Sequence, residues 1–381
     1  MNKEQQDFYW FWLCSVPGIG SAKIRNILHT FSTPADVYAA SDQLLEKVPG
    51  IGAKEIKSLK NSRRESIVYQ QFISMKKNGI QFITFDDPQY PSRLKTIYDY
   101  PFALYCKGNM PRDNAPAIAI VGARNCTNYG RELAQSFGYE FAKMGFQIIS
   151  GMARGIDCAG QNGAVRADGE TYGVLGCGVD VCYPRQNIDL YMELLEHGGI
   201  ISEYAPGTQP LRHQFPMRNR IISGLADVII VVEARVKSGS LITVDQALEQ
   251  NKEVYVVPGR IGDSLSEGCN NLIKMGAQMI TEPADILNNS MISQKFINFK
   301  HNIQNIENNS DKDTKKSNKN NIVLARVEKM VYSNVDLFPK SLDNIIEETK
   351  LQAQEVVNAL VYLEISGYIR EVSKHCYVKV L

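Results

Sequence analysis

The sequence contains no apolar run long enough to cross a membrane. The aromatic patch in MNKEQQDFYWFWLC is too short, and no small-residue cleavage site follows it. Histidine is scarce, at 5 residues, and the 8 cysteines (14, 106, 126, 158, 177, 182, 269 and 376) form no CxxC pair. Neither a zinc site nor a disulfide framework is expected. No charge of one sign dominates: 42 Lys+Arg against 41 Asp+Glu leave +1, so any anion site must come from local clustering. The P-loop pattern GxxxxGK[ST] is missing, and Lys237-Ser-Gly-Ser240 has the wrong order for it. The dinucleotide pattern GxGxxG is missing too, since the first candidate strand is followed by Gly122-Ala-Arg-Asn-Cys. Nicotinamide chemistry and ATP hydrolysis are disfavoured, and no cofactor or metal is expected. A reduced cytoplasmic protein without membrane contact remains, long enough at 381 residues for two or three domains.

What is present begins with the stretch from Ala117 to Tyr183. Three short β-rich runs, Ala117–Val121, Gln147–Ser150 and Thr171–Leu175, each end in a glycine loop. Helix-length segments lie between them, the first with Leu133, Phe137, Phe141 and Met144 at helical spacing. Strand, glycine turn, helix, strand is the βαβ signature, and such sheets bind ligands where their strands end. Backbone N–H groups in the turns at Gly122, Gly151 and Gly155 and at the helix N-termini that follow attract anions, while Arg124 and Arg154 add charge inside the turns. Further strand-like runs (Gly199–Ser202, Asp227–Glu233, Glu253–Val257, Ala277–Ile280) alternate with helix candidates Arg218–Leu225, Leu241–Gln250 and Glu267–Met275. The fold class expected over residues 76–290 is therefore α/β: a Rossmann-like, doubly wound, mostly parallel sheet.

Residues 1–75 carry an internal repeat. Val16-Pro-Gly-Ile-Gly20 recurs as Val48-Pro-Gly-Ile-Gly52, each between short helix-like runs. Helix, GxG hairpin, helix resembles the helix-hairpin-helix motif of SAM-like domains. There the N–H groups around Gly18, Gly20, Gly50 and Gly52 could hold a DNA phosphate without reading sequence. The same residues could equally close a small helical bundle around Phe8, Tyr9, Trp10, Phe11 and Trp12.

The segment Arg212-His-Gln-Phe-Pro-Met-Arg-Asn-Arg220 packs three arginines and an aromatic ring into nine positions. A guanidinium on phosphate and a ring on a base face suit single-stranded nucleic acid, with stacking contributing ~1–3 kcal/mol per base. Arg212 and Phe215 precede the helix and are ligand candidates. Arg218 and Arg220 could instead pair with Glu203, Asp227 or Glu233. Tyr183-Pro-Arg185 and Lys237–Ser240, the latter with Ser238 and Gly239, complete a set of polar loops near strand ends.

SGMARGID, GVLGCGVDVCYPRQN, ISEYAPGT, FPMRNRIISGL, VVEARVKSGSLIT and VPGRIGDSLSEGCNNLI, in this order, closely resemble the DprA/Smf DNA-processing family. With YPSRL and VGARN they span about Tyr90 to Ile280. The resemblance implies a Rossmann-like core that binds single-stranded DNA, promotes loading of the RecA recombinase in natural transformation, and dimerises. It implies phosphate contact at Arg124 and at Arg212 and stacking at Phe215, with Ser150–Asp157 and Lys237–Ser240 as binding loops. Where the family often has Gly-Ser/Thr-Arg, this chain has Ala123, so one phosphate-binding hydroxyl is missing. The sheet class also resembles nucleoside-monophosphate phosphoribohydrolases, but their PGGxGTxxE loop is absent. Asp245, the available substitute, falls within a helix-like run. No catalytic residue is expected.

Beyond about residue 290 the composition turns to asparagine, lysine and serine, and residues 291–321 are expected to form a flexible linker. Helix candidates Ile322–Tyr332, Ser341–Thr349 and Ala353–Ile365, then a hairpin, resemble a winged helix over 322–381. Its third helix opens with Gln352-Ala-Gln-Glu355, poor chemistry for DNA.

Overall fold

The computed structural model describes residues 1–287, 292–301, 326–335, 340–365, 368–373 and 375–379. The chain divides into two compact units, Met1–Gln304 and Asn305–Leu381. In the first, strands β1 (Ile80–Thr84), β2 (Ala103–Gly108), β3 (Ala117–Val121), β4 (Gln147–Ser150), β5 (Thr171–Leu175), β6 (Gly198–Ser202), β7 (Val228–Val231), β8 (Glu253–Val256) and β9 (Gln278–Met279) form one sheet. Among the described residues its order is β1-β2-β6-β5-β4-β3-β7-β8-β9. Pairing is parallel from β6 through β9, while β2 runs antiparallel to both β1 and β6.

The central strands are apolar on both faces because helices cover both. In β3 the two-residue period sends Ile118 and Ile120 toward Phe137 and Phe141 of helix Asn128–Met144. Ala119 and Val121 point the other way, into a core with Ile221, Ile222 and Leu225 of helix Gln214–Leu225. That helix begins four residues before the expected start, taking in Phe215 and Pro216. Proline is tolerated in a first turn, where its missing N–H has no partner to lose.

The N-terminal helices do not stand apart from the sheet. Phe8, Phe11 and Trp12 share one core with Ile80, Phe102 and Tyr105 of the β1–β2 edge. The two hairpin helices, Ser21–Thr30 and Ala53–Ser62, follow the repeat as read.

One segment departs from expectation. Residues 292–301 are helical although they fall inside the stretch read as a linker. Ile292, Phe296 and Phe299 recur at helical spacing, and Phe296 stacks on Phe146 with ring centroids 5.1 Å apart. Lys295 pairs with Asp227 at 2.7 Å. Phe299 is 3% exposed. Replacing it with alanine is expected to lower stability by about 3 kcal/mol in denaturant unfolding. A solvated tether would show no change. The rest of the expected linker, from residue 302, lies outside the described residues.

In the second unit, helices Arg326–Asn334, Leu342–Thr349 and Ala353–Ile365 surround Val331, Ile345, Leu360 and Leu363. Strands β10 (Lys340–Ser341), β11 (Ile369–Ser373) and β12 (Cys376–Lys379) pair antiparallel in the order β10-β12-β11.

Candidate nucleic-acid interface

The connection leaving β3 leads toward β4 on one side, while β7 and β8 extend the sheet on the other. At such a switch point the loops diverge and leave a crevice at the carboxyl edge. A cleft of about 710 Å³ lies there, walled by Gly122, Arg124, Arg212, Phe215, Arg218, Arg235 and the Lys237–Ser240 loop. A second lobe of about 420 Å³ is lined by Gly151, Arg154, Tyr183 and Arg185, and it shares Arg124, Phe215 and Arg218 with the first. The two lobes meet at Phe215.

The β3 loop is held by β7. Ala123 N–H donates to the Glu233 carbonyl at 2.7 Å, and Thr127 N–H donates to the Glu233 carboxylate at 2.9 Å. Arg124 is thereby carried over the Phe215 ring, its guanidinium carbon 5.6 Å from the centroid. Tyr183 also packs against Phe215, its ring centroid 5.3 Å from that of Phe215 at an interplanar angle of 31°. A cation and two rings so arranged offer a charged end and a π face in one place.

Arg218 and Arg220 part company. Arg218 is 4% exposed and donates to the carbonyls of Gly151 and Val174. Burial pushes its guanidinium down to about 10, against the opposing pull of Asp157, so it stays charged at neutral pH. The Asp157 carboxyl is itself raised by burial and accepts Gly151 N–H at 3.2 Å. Among the described residues lining the two lobes, Asp157 is the one carboxylate. Arg220 instead pairs with Glu203, one of the carboxylates expected, at 2.8 Å, and with Asp99, which was not among them, at 3.1 Å.

The remaining candidates divide by position. Arg154, Arg185, Arg212 and Lys237 are exposed along the rim and have no ion-pair partner among the described residues. Ser238 caps helix Gly239–Glu249, so that helix's N-terminus opens on the larger lobe beside Gly239 and Ser240. Ser150 does not reach the cleft: it is fully buried and its hydroxyl donates to the Ile120 carbonyl at 2.7 Å. Gly155 acts through backbone, since a Cβ there would stand 2.2 Å from the Ala123 carbonyl oxygen. Gly18 and Gly20 line a different cavity, with Glu203 and Arg220. Gly52 N–H donates to Glu55 at 3.1 Å, and Gly50 lies in the same hairpin. Asp245, the candidate catalytic substitute, is exposed and does not line the cleft. Sequence reading missed Tyr183 as a ring partner and Arg235 as a rim cation. Arg235 follows β7 by four residues, and that position at a strand's carboxyl end was the available signal.

The family described as DNA recombination-mediator protein A matches residues 81–291, which hold both lobes. The chain belongs to the DprA/Smf DNA-processing family. A SAM-like helix-hairpin-helix tandem matches residues 13–65. Protein Smf of Escherichia coli is 32% identical over 364 residues, covering 95% of this chain and 93% of that protein. DNA processing protein DprA of Bacillus subtilis is 43% identical over 212 residues, 55% of this chain and 71% of that one. The crystal structure of DprA from Streptococcus pneumoniae superposes with a TM-score of 0.63 at 32% identity, covering 74% of this chain and 97% of that chain. In this DprA/Smf member no described helix is long and apolar enough to cross a membrane.

Proposed function

We propose that the cleft binds single-stranded DNA, and that the protein protects incoming strands and promotes their loading with RecA in DNA uptake and recombination. The observation that carries the reading is Arg124 over Phe215 with Tyr183 beside it. A duplex hides its base faces, whereas a single strand offers both a face for the rings and a phosphate for the guanidinium. Membership of a family of DNA-processing proteins supports the same reading. Arg154, Arg185, Arg212, Arg235 and Lys237 would follow the backbone on either side, with the N–H groups at Gly122 and Gly239 as neutral donors.

The division into a helix-hairpin-helix segment (1–75), a Rossmann-like domain (76–290) and a winged helix (322–381) belongs to this proposal, as do a homodimer and a cytoplasmic location. Helix Ala353–Ile365 contains Glu355 and Glu364 and neither lysine nor arginine, which disfavours groove reading by the C-terminal unit.

Titrating the full chain with labelled oligo-dT and with a duplex of equal length, at one fixed salt concentration, tests the reading. The single strand should bind at least about tenfold more tightly, as stacking of one or two bases implies. Equal affinity, or preference for the duplex, would sink it.

A further inference from the structure

Helix Gln214–Leu225 bears Phe215 and Arg218 one turn apart, both on the cleft. Arg220 is turned about 200° from Arg218. Arg220 is 5% exposed, and its guanidinium leaves the cleft altogether. Nη2 donates to both Glu203 oxygens at 2.9 and 2.8 Å, and Nε donates to Asp99 at 3.1 Å. Nη2 also reaches the Ser21 hydroxyl at 3.4 Å, and that hydroxyl in turn donates to Glu203. Ser21 is the first residue of the helix that follows the Val16–Gly20 hairpin. Arg25, one turn on, lies 3.9 Å from the other Asp99 oxygen and stacks over Tyr98 and Tyr100.

One guanidinium thus joins the cleft helix, the end of β6 and the first hairpin. The same contacts put a carboxylate, Glu203, at the hairpin helix N-terminus, where a DNA phosphate would otherwise sit. The second hairpin is filled likewise. Glu55 takes Gly52 N–H and the Lys23 ammonium, whose hydrogen bond is the main reason its carboxyl is held down to about 2.

We propose that Arg220 is a positioning residue that braces the single-strand helix against the first hairpin, and that the tandem hairpins are an internal support for the cleft rather than a second DNA site. The inference rests on the single-strand reading of the cleft. A lysine at 220 keeps the charge but presents one compact ammonium where a planar fork spans Glu203 and Asp99, so it cannot hold both in the same geometry.

The test uses the full chain carrying Arg220→Lys, Ser21→Ala or Lys54→Glu, with Ile286→Ala as a core substitution on the opposite face of the sheet. Hydrogen exchange is measured first, without DNA. Arg220→Lys and Ser21→Ala should speed exchange at residues 214–219, and Ile286→Ala should not. Unchanged exchange in both brace variants overturns the brace, whatever the DNA results. Oligo-dT affinity is then read across a salt series at a temperature where every variant is folded. Arg220→Lys should weaken binding about tenfold and Ser21→Ala a few-fold, with the salt slope unaltered because no phosphate contact is lost. A slope lower by about one would make Arg220 a phosphate ligand and overturn the proposal. Lys54→Glu should leave affinity within twofold, and a large loss would restore the hairpins as a DNA site. If Arg220→Lys fails to fold, Ser21→Ala carries both readouts. Faster exchange in a protein that never binds oligo-dT would leave the brace standing and remove the function.

Discussion

Replacing Arg124 by glutamate is expected to weaken oligo-dT binding by roughly 100- to 1000-fold while leaving the protein folded. The side chain is exposed and forms no ion pair among the described residues, and buried Asp157, which feels its charge, keeps Arg218 as its larger charge partner. What disappears is a charge-assisted phosphate contact of about 1.5–3 kcal/mol and a cation–π contact of about 0.5–1 kcal/mol. The new carboxylate repels the phosphate and competes with it for Arg218 in the same cleft, and about 3–4 kcal/mol corresponds to that range of affinity. The salt slope should fall by about one. Phe215→Ala gives the complementary pattern: an affinity loss of about 1–3 kcal/mol with an unchanged slope, because a ring neutralises no phosphate. Lys350→Glu, in the C-terminal unit, should change binding less than twofold. Equal losses at Arg124 and at Lys350 would mean that the cleft is not where the strand lies.

Gly155→Ala is expected to damage both stability and binding. Gly155 has φ +80°, and an added Cβ would stand 2.2 Å from the Ala123 carbonyl oxygen and 2.6 Å from that of Arg124. Both obstacles are backbone, and Ile156 N–H already donates to the Ala123 carbonyl at 3.2 Å, so neither loop can yield alone. Strain at a positive φ of about 1–3 kcal/mol and overpacking of similar size predict a loss of about 2–5 kcal/mol in denaturant unfolding. Because the loop that must move carries Arg124, anisotropy on the folded fraction should show oligo-dT affinity reduced about as far as in Arg124→Glu. A variant within 1 kcal/mol of wild type with normal affinity would refute the claim that this glycine fixes the arginine.

Three strands around the cleft were legible because each is an unbroken run closed by glycine. Ala117–Val121, Gln147–Ser150 and Thr171–Leu175 were read to their last residue. The repeated Val-Pro-Gly-Ile-Gly located both hairpins in the same way. Arg124 stood out as a charge in a strand-end turn, Arg212 and Phe215 as charge and ring just ahead of an apolar helix, and all three line the larger lobe.

Side-chain direction was harder to read. Arg218 and Arg220 look alike in sequence, and only the helix start at Gln214 decides that one faces the cleft and the other the hairpin. Ser150 sits in a glycine-rich loop by spacing, yet its hydroxyl is taken by a neighbouring strand's carbonyl. Tyr183 reads in the sequence only as part of a loop, because its partner Phe215 lies thirty-two positions away. The apolar stripe of Ile292, Phe296 and Phe299 was diluted by the asparagines and lysines around it.

Photo-cross-linking tests the central claim most directly. The full chain is mixed with oligo-dT carrying 5-iodouracil and irradiated, and the attached peptides are mapped by mass spectrometry. The adducts should fall on peptides containing Phe215 and Tyr183 and should disappear with Arg124→Glu. Adducts confined to residues 48–57 or to helix Ala353–Ile365, unaffected by that substitution, would contradict a single-strand site at the sheet's switch point.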